Sequence, residues 1–97
     1  MEFDFKDGAL EKVYYDPMAS IGHGPIVDKG FRKLIGKIRA ARNEFDLRTL
    51  QGLRFHNLNG RRSHQHAMTI TDQWRLVVER KERDGRTRLL IISVEDH

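Results

Sequence analysis

Ninety-seven residues make one small unit, since a chain of this length buries only about 60 to 65% of its unfolded surface and cannot divide that core between two domains. With no cysteine it has no disulfide framework, no Cys-ligated zinc and no thiol nucleophile, which leaves histidines and carboxylates as the only metal ligands. Nothing in it approaches the ~20 apolar residues of a membrane helix, and the first residues, MEFDFKDGALEK, are too acidic and polar for a signal peptide, so the expected location is the cytoplasm.

In chain order, Glu2 to Phe5 alternates polar and apolar and predicts a short strand with Phe3 and Phe5 on one face. Asp7 is placed to cap a helix carrying Leu10, Val13 and Tyr14, which must stop near Asp16-Pro17. Ser20 to Gly24 reads as a loop, in which His23 carries no signal. From Pro25, suited to a first helical turn, Val27, Phe31, Leu34, Ile35, Ile38 and Ala41 recur at the spacing of one buried stripe, predicting the longest helix, ending near Asn43. Glu44 to Leu50 has room for one or two further turns.

Beyond Gly52 the period changes. Arg54 to His56, His66 to Ile70, Gln73 to Lys81 and Thr87 to Glu95 read as strands, with Asp84-Gly85 the strongest hairpin signal and Thr71-Asp72 a second turn. Alternation sends Trp74, Leu76 and Val78 to one face and Arg75, Val77 and Glu79 to the other, and in the last strand it sends Leu90, Ile92 and Val94 to the core. The expected architecture is α+β: two N-terminal helices packed on a small, twisted, mainly antiparallel sheet, spanning residues 1–97 as one domain.

The net charge of +4 is unevenly spread. Gln51 to Ile70 holds Arg54, Arg61, Arg62 and three histidines without one acid, a cationic stretch suited to phosphate or an acidic protein, or simply a solvated face. His64 and His66, two apart, share a face if they lie on a strand, but a metal would need a third ligand such as His56, and plain groove or edge histidines are the more ordinary reading.

Three segments, Leu53-Arg54-Phe55-His56-Asn57-Leu58-Asn59-Gly60-Arg61-Arg62, Met68-Thr69-Ile70-Thr71-Asp72-Gln73-Trp74-Arg75-Leu76 and the terminal Val94-Glu95-Asp96-His97, in that order and spacing, resemble the HigB branch of the RelE/ParE toxins. The likeness takes in the Ala40-Ala41 helix end and Asp46-Leu47, and weakens before residue 40. It implies a toxin of a type II toxin-antitoxin pair, held by a HigA-like antitoxin with a helix-turn-helix domain, through which alone it would meet operator DNA. It further implies a ribosome-dependent endoribonuclease that cuts mRNA by attack of the ribose 2′-hydroxyl on the adjacent phosphate, with no metal and no cofactor.

Such chemistry needs a base, an acid and positive donors for the phosphorane. The resemblance makes His56 a base or acid, Arg75 the phosphate donor, and Asp96 and His97 the acidic and final members of a terminal motif; Arg54, Asn59, Arg61, Arg62, His64 and His66 would line the RNA path. For Arg75 the competing reading is a cross-strand ion pair with Glu79 or Asp96. The sequence departs from the family's Asp-Tyr-His ending, having no tyrosine between Asp96 and His97, so His97 stands either for the terminal histidine or in the tyrosine's place. Asn59 replaces a lysine common in relatives. Two other readings stay open: a gyrase-directed toxin of the ParE kind, and an altered toxin that binds antitoxin or RNA without cutting.

Overall fold

The computed structural model describes residues 1–97 and shows an α+β fold, three helices packed against one face of a five-stranded mixed sheet. The elements are β1 (Phe3–Phe5), α1 (Gly8–Tyr15), α2 (Pro25–Ala40), α3 (Glu44–Thr49), β2 (His56–Asn57), β3 (Gln65–Thr69), β4 (Trp74–Arg83) and β5 (Arg86–Asp96), with a 3-10 turn at Gly60–Arg62. The strand order is β1-β5-β4-β3-β2. β1 runs parallel to β5, and all other pairs are antiparallel.

The helices form where local chemistry favours them. The Asp7 carboxylate accepts the Ala9 N–H at 2.8 Å and starts α1, and Pro25 opens α2. Asn43 caps α3 by accepting the Asp46 N–H, so the Glu44 segment is a third helix and not an extension of the second. α2 stops at Ala40, three residues before the expected end near Asn43, because Ala41 is already extended. Phe31, Ile35 and Ile38 from α2 are fully buried against Met68, Leu76, Val78, Leu89 and Ile91 of the sheet.

The strands confirm the hairpin and correct one register. Asp84 and Gly85 both have positive φ, 52° and 75°, as a two-residue turn between twisted strands requires, and Arg83 pairs with Arg86 across it. Farther along the pair, Val78 faces Ile91 whereas Val77 faces Ser93, so Ile92 is an extra residue, a bulge. The core side chains of β5 are therefore Leu89, Ile91 and Val94; Leu90 and Ile92 do not join that core, and Ile92 packs on the opposite face with Leu58, Ala67 and Val77. Arg54 and Phe55 lie outside β2, Arg54 at a positive φ of 53°. No helix is long and apolar enough to cross a membrane.

Candidate active site

The sheet face turned away from the helices carries the polar chemistry. Directly paired residues on neighbouring strands share a face, so the register defines two rows. One contains Thr69, Arg75 and Glu95; the next contains His56, Ala67, Val77 and Ser93. Strand spacing puts the Cα atoms of His56 and Arg75 about 12 Å apart.

Arg75 extends from β4 with its side chain only 23% exposed. Its Nε is buried without a hydrogen-bond partner, and its closest acid is Glu95, 3.8 Å from Nη2. The cross-strand partner is thus neither Glu79 nor Asp96, and the pairing is too long to use the guanidinium's donors. Glu95 is instead occupied by Arg62, which donates to both carboxylate oxygens at 2.8 and 2.6 Å, and by the Ser93 hydroxyl at 2.6 Å. The Arg62 hydrogen bonds, then the Ser93 hydroxyl and the charge of Arg75, outweigh burial and hold the Glu95 carboxyl down to about 2.

Arg62 reaches Glu95 from the loop after β2, folded over this face so that Leu58 closes on Ala67, Val77 and Ile92. Arg62 Nε also donates to Gln65, which in turn donates to Glu79 at 3.0 Å. Those hydrogen bonds from Gln65 and Lys81 lower the Glu79 pKa, and His64 lies 3.7 Å from the same carboxylate. Arg62 and His64 are consequently engaged with acids, whereas Arg61 and Arg54 are exposed and form no ion pair. Asn59 is exposed at the start of the 3-10 turn.

His56 is exposed, and its Nδ1 lies 2.6 Å from the Arg54 carbonyl. A carbonyl only accepts, so Nδ1 carries the proton in that bond, and in the neutral ring the lone pair is on Nε2. His66 is placed elsewhere. It points under the helices with only 4% exposure, against the Phe55 ring, and neither ring nitrogen has a partner. Burial and then the charge of Arg80 lower its pKa, which keeps it neutral and takes it away from any RNA path. With His64 outside β3 and exposed, the two histidines do not share a face.

At the chain end the bulge decides the geometry. Asp96 pairs with Trp74 and so lies on the helix-bearing side, exposed, with the Gln73 amide 3.4 Å away. Glu95, passed over in the sequence, is the acid that shares a face with Arg75. Regular counting from the Asp84-Gly85 turn would set Val94 opposite Arg75, so no local pattern pointed to it. His97 is exposed, and its backbone N–H donates to the Gln73 carbonyl at 2.9 Å.

A family model described as the RelE-like toxin HigB of type II toxin-antitoxin systems matches residues 3–88. The chain belongs to the HigB-like toxins. The match includes His56, Arg62 and Arg75 and ends before Glu95. As a HigB-like toxin, the chain is one half of a toxin-antitoxin pair. Among solved structures, a YoeB/ParE toxin from Agrobacterium tumefaciens is similar over 100% of this chain and 99% of its own, with a TM-score of 0.63 and 15% identity, which establishes the shared fold. A search of curated proteins finds no sequence match.

Proposed function

We propose that this HigB-like toxin is a ribosome-dependent mRNA endoribonuclease that stops translation in the cytoplasm and is neutralised by a HigA-like helix-turn-helix antitoxin. The observation that supports this reading best is Arg75, mostly buried, with its Nε unpartnered and its face shared with His56 and Glu95. A guanidinium held in place with unused donors suits the extra negative charge of a phosphorane. The reaction is attack of the ribose 2′-hydroxyl oxygen on the adjacent phosphorus, with release of the 5′-oxygen.

In this reading His56 Nε2 takes the 2′-hydroxyl proton, and Arg75 donates to the non-bridging oxygens. Glu95, ionised down to a pKa of about 2, is unsuited to proton transfer at neutral pH; it orients Arg62 and balances Arg75 until phosphate arrives. His97, just past the last residue of β5, protonates the leaving oxygen. Asp96, on the other side of the sheet, acts on His97 only through its charge. Arg54, Asn59, Arg61 and Arg62 track the RNA backbone, with His64 at the margin.

The test is expression of the chain alone in bacteria, with new mRNA 5′ ends mapped and DNA supercoiling measured. Codon-associated cuts on translated messages are expected. Altered supercoiling without cuts would assign the toxin to gyrase, and growth arrest with neither would leave a toxin that binds without cutting.

A further inference from the structure

His23 lies in the loop between α1 and α2, yet its ring stacks on Trp74 with centroids 3.8 Å apart and planes 17° from parallel. His23 itself is exposed. One ring face covers the tryptophan and the imidazole still meets solvent, so an outer face is open to a further planar group.

The loop is built to hold that ring. Gly22 and Gly24, on either side of His23, have φ of 102° and 98°, values that a side chain would resist. The Asp28 carboxylate, 7% exposed, accepts the Ile21 N–H at 2.9 Å, and the Ser20 hydroxyl accepts the Gly22 N–H. Arg32 on α2 donates to the carbonyls of Val13, Asp16 and Ala19, tying the end of α1 and the start of the loop to one guanidinium. An exposed imidazole is thus fixed from both flanks before any ligand binds, which lowers the entropic cost of stacking on it.

Its position relates it to the site above. Trp74 is the first residue of β4 and Arg75 the second, so the stack and the phosphate donor lie at the same end of the sheet, on opposite sides of its rim. Single-stranded RNA is recognised by stacking unpaired bases on aromatic rings, histidine included. We propose that the His23–Trp74 stack is a base-stacking shelf at the rim of the substrate site: a nucleobase farther along the strand from the phosphate bound by Arg75, where the RNA passes around the end of the sheet, lies on the outer face of His23. The proposal rests on the nuclease reading for its ligand, single-stranded RNA. Stacking tolerates any base, so the shelf sets reach and affinity, not sequence preference.

Trp74 is the only tryptophan, so the emission comes from the ring beneath His23, and the His23 variants separate stacking on it from binding at the neighbouring Arg75. The probe is a 2′-O-methyl adenine trinucleotide, which has no free hydroxyl to attack with. Titrated into the full chain, it should change Trp74 emission saturably. His23→Ala should weaken binding roughly ten- to a hundredfold and raise KM on programmed ribosomes far more than it lowers kcat, while His23→Phe, which keeps the stack, should stay near the native chain. Circular dichroism confirms that both variants fold. Native binding and KM in His23→Ala would overturn the shelf, as would equal losses in the two variants. A saturable Trp74 response lost in His23→Ala, with no mRNA cut by any form, would support the shelf and sink the nuclease reading; cutting unchanged by either variant would do the reverse.

Discussion

Glu95 accepts two hydrogen bonds from Arg62 and one from Ser93, and these set its acid sensitivity. Its folded pKa, about 2, is below its ordinary 4.5, so the stabilisation is fully present above 4.5 and is lost as pH falls from there toward 2. Thermal melts of Glu95→Gln are expected to show a smaller drop in Tm across that window than the native chain. Equal drops would mean that Glu95 is not held by Arg62. The same carboxylate separates charge placement from proton transfer. His56→Ala and Arg75→Ala should each lower the cleavage rate by about 10² to 10⁴ with the fold intact, and relieve growth arrest at matched expression. Full toxicity in both variants would remove them from the site.

At the scale of elements, α2 provides its own control. A Cβ on Gly30 would lie 3.0 Å from the Ile70 side-chain methyl, where the helix crosses the turn after β3, whereas one on Gly36 meets nothing within 4 Å. Alanine in a helix interior is favoured over glycine by about 1 kcal/mol, so Gly36→Ala should raise the urea midpoint while Gly30→Ala should lose that gain to displacement of Ile70. Ile35→Ala, at a fully buried position, should cost about 2 to 5 kcal/mol in the same assay. The stripe that defines α2 was legible because its spacing follows from 3.6 residues per turn. So were the Asp7 cap and the Asp84-Gly85 turn, whose causes lie within a few residues. In β5 the alternation was misread at Leu90 and Ile92, because one bulge reverses side-chain parity for everything before it and leaves no mark in composition.

For the whole molecule, charge and the chain end give two expectations. The cationic loop with Arg54 and Arg61 free of ion pairs should make ribosome binding weaken steeply with salt, read as the slope of log affinity against log salt. A flat slope would indicate an apolar, protein-directed interface. β4 and β5 deliver His97 to a fixed rim, with its N–H bonded to Gln73, so deletion of His97 should abolish toxicity. If a chain ending at Asp96 still cuts mRNA at the same sites, the reaction belongs to His56 and Arg75 alone.

The sequence by itself determined the helices, the hairpin, the apolar stripe and the family likeness, because each depends on residues close together in the chain or on motifs in a fixed order. The third helix needed the Asn43 cap to separate it from α2. Only the tertiary structure decided which polar residues meet. Arg62 finds Glu95 thirty-three positions away, His66 turns inward beneath the helices, His23 lands on Trp74, and Asp96 falls on the far side of the sheet from Arg75. Each of these depends on strand register or loop closure. A register is fixed by how a whole face packs, and a single inserted residue, Ile92, is enough to exchange one acid for its neighbour.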